Sequence, residues 1–216
     1  MPNNAASFVA AQVIRLLPRT TISNAVGRLC DKNLPAPVSQ AVVAAYARAF
    51  RVNLSEAECP TRTYDSFDEF FTRRLTNGAR SFPQDPREIA SPSDGRFQCS
   101  GPVEKGCRIV VKNRPYDVAR LIGSEDEARA YLGGQFAVIY LSPRDYHRVH
   151  APIDGTVTEV RSLGGDLYPV NAIGERWVRD LFVANKRVAI VIDSPTCGRI
   201  TLVMVGAMIV GRITVE

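Results

Sequence analysis

Apolar residues in the first third of the chain recur at helical spacing, whereas later they fall into short Val/Ile-rich runs between Pro, Gly and Asp. Phe8, Val9, Val13, Leu16 and Leu17 predict a short amphipathic helix over Ser7 to Leu17 that Pro18 stops. Ile22, Val26 and Leu29 form a second, weaker pattern ahead of Pro35-Ala36-Pro37, and Ser39 to Phe50 predicts a firmer helix. Ser66-Phe67-Asp68-Glu69 has capping-box spacing and predicts a helix from Phe67 to Leu75 with Phe70, Phe71 and Leu75 inward. From Phe82 onward, strands are predicted at Cys107 to Val111, Phe136 to Leu141, Thr156 to Val160, Val188 to Ile192 and Ile200 to Val215. Helices are expected to interrupt them at Ser124 to Leu132 and Arg176 to Ala184. The fold class is therefore α+β: N-terminal helices over residues 1–80, followed by a mostly antiparallel β body over 81–216.

Charge sharpens that division. The 216 residues carry 27 Lys and Arg against 22 Asp and Glu, a net charge of +5. Residues 1–52 hold six cations and one acid, Asp31, so the excess lies in the helical front and the body is neutral. An anionic membrane surface is the partner this favours, met by Phe8, Val9, Val13, Leu16 and Leu17 with Arg15 and Arg19, while Arg28 and Lys32 lie alongside; the alternative is that the same five apolar residues pack against the β body as core. No nucleic acid is expected. The apolar stretch Ala5 to Leu17 is too short to cross a bilayer, which needs about 20 residues. Cys30, Cys59, Cys99, Cys107 and Cys197 are odd in number and lack CxxC spacing, as suits a reducing compartment.

Both histidines of the chain lie in Tyr146-His147-Arg148-Val149-His150, just after a predicted strand. A metal site would need further N, S or O ligands, and no other histidine exists, so no metal is expected. Imidazole also transfers protons near neutral pH, which requires an orienting carboxylate. Asp94, in Ser91-Pro92-Ser93-Asp94-Gly95, is a candidate, although Asp-Gly is also ordinary turn chemistry.

The run Ser142-Pro143-Arg144-Asp145-Tyr146-His147-Arg148-Val149-His150-Ala151-Pro152 resembles the signature of the phosphatidylserine decarboxylases, which depend on a pyruvoyl group. Four further stretches match in the same order: Ser66 to Arg73, Ser91 to Gly95, Gly165 to Asn171 and Val205 to Gly211. Together they span about residues 64 to 212, and their order makes the match far more specific than any single piece. The resemblance implies that Asp94 and His150 form a relay. In it, the imidazole deprotonates a serine that attacks the preceding glycine carbonyl and cleaves the chain. That serine becomes the covalent pyruvoyl cofactor at the N-terminus of a small alpha chain. His147 is then expected to handle the proton in decarboxylation of phosphatidylserine to phosphatidylethanolamine.

The family's serine lies in Leu-Gly-Ser-Thr, a motif this sequence does not contain. Gly123-Ser124 precedes the histidines, and Ser124-Glu125-Asp126-Glu127 has the spacing of a helix cap. The expectation is thus the N-terminal part of a proenzyme's larger (beta) chain, incomplete and inactive alone. Its implied partners are phosphatidylserine, an anionic membrane, the alpha chain and, as a further candidate, a second copy in a homodimer. Its implied location is peripheral, on the cytoplasmic face of a bacterial inner membrane. A catalytically dead lipid-binding remnant is the main alternative, and a hydrolase built on HxxH ranks below it.

Overall fold

A computed structural model describes residues 4–58 and 63–216. Cys59 lies outside the described residues. Helices α1 (Asn4–Leu16), α2 (Arg19–Cys30) and α3 (Ala36–Phe50) form the front, and a short α4 (Phe67–Phe71) leads into the body. Pro18 separates the first two, and Pro37 lies in the first turn of α3, where a ring-fixed φ suits a helix start.

The body is antiparallel, in three small sheets. Strand β1 (Arg96–Pro102) pairs with β4 (Gln135–Tyr140), and β2 (Arg108–Val111) pairs with β3 (Arg114–Asp117). The third sheet runs β5 (Thr156–Leu163), β6 (Arg187–Ser194), β7 (Gly198–Val205), with β6 central. That position explains the unbroken apolar run of β6: Val188 to Ile192 are all buried, so no polar alternation is selected. Helices α5 (Val118–Ile122), α6 (Glu125–Ala130), α7 (Ala172–Trp177) and α8 (Leu181–Ala184) fill the connections. One core cluster gathers Ile109, Val111, Tyr116, Val118 and Ile122, a second lies on β6, and a third joins Val43, Tyr64 and Phe70 between α3 and α4.

Several elements differ from the pattern-based expectation, each for a local reason. The helix predicted from Phe67 to Leu75 stops at Phe71, because Leu75 leaves to bridge Ala57. Ser66 does cap it, accepting from the Glu69 amide at 3.2 Å, but Glu69 reaches back to the Asp65 amide instead of Ser66. Ser124 caps α6 in the same way, accepting from Glu127 N–H, although α6 ends at Ala130 and not Leu132. The helix expected over Arg176 to Ala184 is two pieces, divided where Asp180 takes a φ of 51°. Strand β7 ends at Val205 instead of continuing to Val215, since Ala207 and Val210 close a turn on each other. Strand β1 begins just after the Asp94-Gly95 turn, where a strand start was expected, whereas β3 was not expected: Pro115 interrupts its apolar pattern.

Polar contacts tie the front to the body. Buried Arg19 grips Asp166 with two hydrogen bonds, at 3.0 and 2.5 Å, and lies over the Tyr168 ring. Ser23 accepts from the Ile209 amide, and Arg212 bridges Asp31 and Asp68. The motif Gly165 to Asn171 therefore serves packing: Leu167 is buried against Gly206 and Gly211, and Asn171 caps α7.

Candidate active site

Two loops meet beyond the end of β4. The turn Ser91 to Gly95 enters β1, and the run Ser142 to His150 leaves β4, so the β1–β4 pairing brings together segments remote in sequence. The His150 amide donates to the Pro92 carbonyl at 2.7 Å, and Ala90 N–H donates to Pro152. Gly95 is required at the crossing: its φ is 122°, and a Cβ there would stand 2.5 Å from the Tyr140 carbonyl oxygen.

Asp94 is held by Arg80 through two parallel hydrogen bonds of 2.7 and 2.6 Å, and Arg80 also reaches Glu56 at 2.8 Å. The Arg80 guanidinium, helped by the Tyr146 backbone amide, keeps the Asp94 carboxyl below the usual carboxylate range. Asp94 is thus a persistent anion.

Asp94 and His150 do not hydrogen-bond directly. Tyr146 stands between them in the network. Its amide favours the Asp94 anion, and its hydroxyl lies 3.0 Å from His150 Nε2, with the two rings stacked at 17°. Tyr146 is buried, which raises its phenol pKa and keeps it protonated, whereas His150 is exposed.

His147 has a different environment. Its ring stacks on Phe71 at 3.9 Å, and Nε2 lies 3.1 Å from the Ser142 carbonyl. A carbonyl only accepts, so Nε2 carries the hydrogen and Nδ1 keeps the lone pair. Burial pushes its pKa down to about 4, so the ring is neutral at pH 7. Arg148, between the histidines, donates to the Thr72 carbonyl at 2.8 Å and fixes the loop to the end of α4.

A cleft of about 250 Å³ opens beside this network, lined by Arg51, Arg73, Arg80, Asp94, Arg144 and Tyr146. Arg80, Glu56 and Arg73 were not singled out in the sequence. Arg73 closes the matched Ser66 to Arg73 stretch, but no spacing marks Arg80 or Glu56, which meet Asp94 only through tertiary folding.

Among the expected membrane residues, Phe8, Val9, Val13 and Leu16 are exposed and Leu17 is half-buried. Phe8 also meets Trp177 edge-on at 5.2 Å, and Arg15 donates to the Trp177 carbonyl. Arg19 does not join them at the surface: its contact with Asp166 turns it inward.

The chain is an α+β protein in which two loops at the end of a two-stranded sheet bring Asp94, Tyr146, His147 and His150 together. A family profile described as phosphatidylserine decarboxylase matches residues 67–216. The chain is 42% identical over 207 residues to the phosphatidylserine decarboxylase proenzyme of Anaeromyxobacter sp. (strain K), covering 95% of this chain and 72% of that protein. It is 41% identical to the proenzyme of Azotobacter vinelandii, covering 92% and 69%, and 39% identical to that of Bordetella pertussis, covering 99% and 71%. The chain belongs to the phosphatidylserine decarboxylase family.

Proposed function

We propose that this chain provides the acid–base apparatus of a phosphatidylserine decarboxylase proenzyme and is the beta-chain part of it. In this reading Asp94, fixed by Arg80, orients the loop through Tyr146, and His150 takes the hydroxyl proton of the cleavage serine. The observation that carries it is Tyr146, which contributes an amide to the Asp94 anion and a hydroxyl to His150. Exposure of His150 leaves its imidazole open to a hydroxyl brought in by the cleavage segment.

The residues present suit a pyruvoyl group chemically. Tyr146 and His150 would hold it, since a protonated phenol beside an imidazole offers hydrogen-bonding partners to a neutral keto-amide. The group supplies an electrophilic ketone, an electron sink for the charge released with CO2. His147 is assigned the proton in turnover. Its Nε2–H is fixed on Ser142, its Nδ1 is free to exchange a proton, and stacking on Phe71 limits its access to water.

The lipid substrate places the reaction at a membrane surface. The exposed side chains of α1 support peripheral attachment, which we assign to the cytoplasmic face of a bacterial inner membrane. Among the described residues, no helix is long and apolar enough to cross a bilayer.

The test joins this chain to the C-terminal segment of a family member bearing Leu-Gly-Ser-Thr and follows self-cleavage on a denaturing gel. The parent fusion is expected to split into two chains, and His150→Ala and Asp94→Asn to remain intact. His147→Ala is expected to cleave yet lose decarboxylation. Normal cleavage by either of the first two variants would remove that residue from the relay. An uncleaved parent fusion would favour the non-catalytic remnant.

A further inference from the structure

Arg73 is 6% exposed, and among the described residues its guanidinium makes no hydrogen bond or ion pair. Its Nε is enclosed without any acceptor, and its planar group lies 5.5 Å from the Phe70 ring centre. A buried N–H is costly to leave without an acceptor, because it loses its water and keeps only the weaker attraction of the Phe70 ring and of the nearby anions Asp94 and Glu56. Burial accordingly pulls its pKa below the ordinary arginine value. The nearby carboxylates do not meet it. Asp94 and Glu56 are both engaged by Arg80, and Asp145 accepts from the amide and hydroxyl of Ser142.

The side chain forms part of the cleft wall, where Arg51 and Arg144 add two further cations. Arg51, at the left-handed end of α3, makes no ion pair among the described residues, and Arg144 lies 3.7 Å from Asp145. A volume near 250 Å³ accommodates a polar headgroup and not acyl chains. Tyr146 lines the same cleft and carries the contact to His150.

We propose that Arg73 is the anchor of an oxyanion-binding site, and that its ligand is the anionic headgroup of a phospholipid, gripped through a phosphodiester or carboxylate. A guanidinium presents the N–H bonds of its two Nη groups side by side, matching two oxygens of either group. The anchored headgroup would lie beside the tyrosine that contacts His150. Its identity as the serine headgroup rests on the decarboxylase reading, but the oxyanion site itself does not.

Soluble headgroups test this on the 216-residue chain without any turnover. Glycerophosphoserine, glycerophosphoethanolamine, free serine and inorganic phosphate are each titrated while the Arg73 Nε–H signal is followed by NMR. Glycerophosphoserine is expected to bind saturably and shift that signal. Arg73→Lys and Arg73→Gln are expected to weaken binding about tenfold or more, because a charge-assisted pair is lost. Equal binding of glycerophosphoethanolamine would locate the grip on the phosphodiester. Binding of glycerophosphoserine and serine but not glycerophosphoethanolamine would locate it on the carboxylate.

Absence of saturable binding, or unchanged affinity in folded Arg73 variants, would overturn the site. Inorganic phosphate binding as tightly as any headgroup would overturn the phospholipid assignment. Circular dichroism checks folding of the variants, and if they unfold, an Arg73 signal in the parent chain that ignores the ligand still refutes the proposal. A chain that binds headgroups while its fusion never cleaves would sink the decarboxylase reading alone.

Discussion

His147 and His150 are three residues apart and chemically opposite. His150 is exposed and shares a hydrogen bond with a phenol, whereas burial against Phe71 holds His147 neutral, with a pKa of about 4. Because the unfolded chain binds a proton at His147 near pH 6.5 and the folded chain resists it, stability from this group is complete above pH 6.5. It falls as the pH drops from 6.5 toward 4, by at most about 3 kcal/mol. Asp94 and Asp166, whose pKa values are lowered by Arg80 and Arg19, lose their contributions only at more acidic pH. Urea midpoints measured from pH 7 to 4.5 should therefore decline for the parent chain and decline less for His147→Gln, which can still donate to Ser142. Parallel curves would show that acid acts elsewhere. Sequence reading located both histidines and Asp94, and the resemblance implied a separate role for each histidine, but the burial of His147 against Phe71 and the placing of Tyr146 between Asp94 and His150 were not legible, since both arise from packing between segments remote in sequence.

At the level of elements, what was legible was what a single element decides for itself. Ser66 and Ser124 cap their helices as the spacing predicts, and the Val188 to Ile192 run is a strand. Endpoints set by another segment were not legible: α4 stops because Leu75 meets Ala57, and β7 stops at a turn that Ile209 helps form while its amide donates to Ser23. The start of β1 was legible at the Asp94 turn but its pairing with β4 was not, and that pairing carries Asp94 to the histidine loop. Its entry depends on Gly95. Gly95→Ala would need a φ unfavourable to alanine and place a methyl 2.5 Å from the Tyr140 oxygen. The conformational strain alone is worth about 1–3 kcal/mol, so the melting temperature should fall by several degrees and self-cleavage of the fusion should slow. A variant that melts and cleaves like its parent would show that the turn can relax without moving Asp94.

The whole molecule presents an apolar ridge on a basic front. Leu16 is 87% exposed, and Val9 and Val13 more than half, while Ala11 on the same helix is buried. The helix is therefore docked by one face and open on the other, and the open face is the one attachment would use. Docking also alters how attachment must be tested. Arg19 with Asp166 and Ser23 with Ile209 hold the front to the body, so removing residues 1–34 would strip internal contacts along with the ridge. Substitution at the exposed positions avoids this. Each of Val13 and Leu16 would gain about 1.5–3 kcal/mol if fully buried, and roughly half of that at an interface. Val13→Asp with Leu16→Asp should thus weaken co-sedimentation with phosphatidylserine-containing vesicles about tenfold or more, at unchanged melting temperature. The electrostatic part has a separate signature. Arg28 and Lys32 are exposed, so raising salt should weaken binding of the parent chain without abolishing it, whereas the apolar ridge is insensitive to screening. Binding lost completely in high salt would leave only charge attraction. Equal vesicle binding by the double variant and its parent would remove α1 from the membrane contact, leaving its exposed face for another partner.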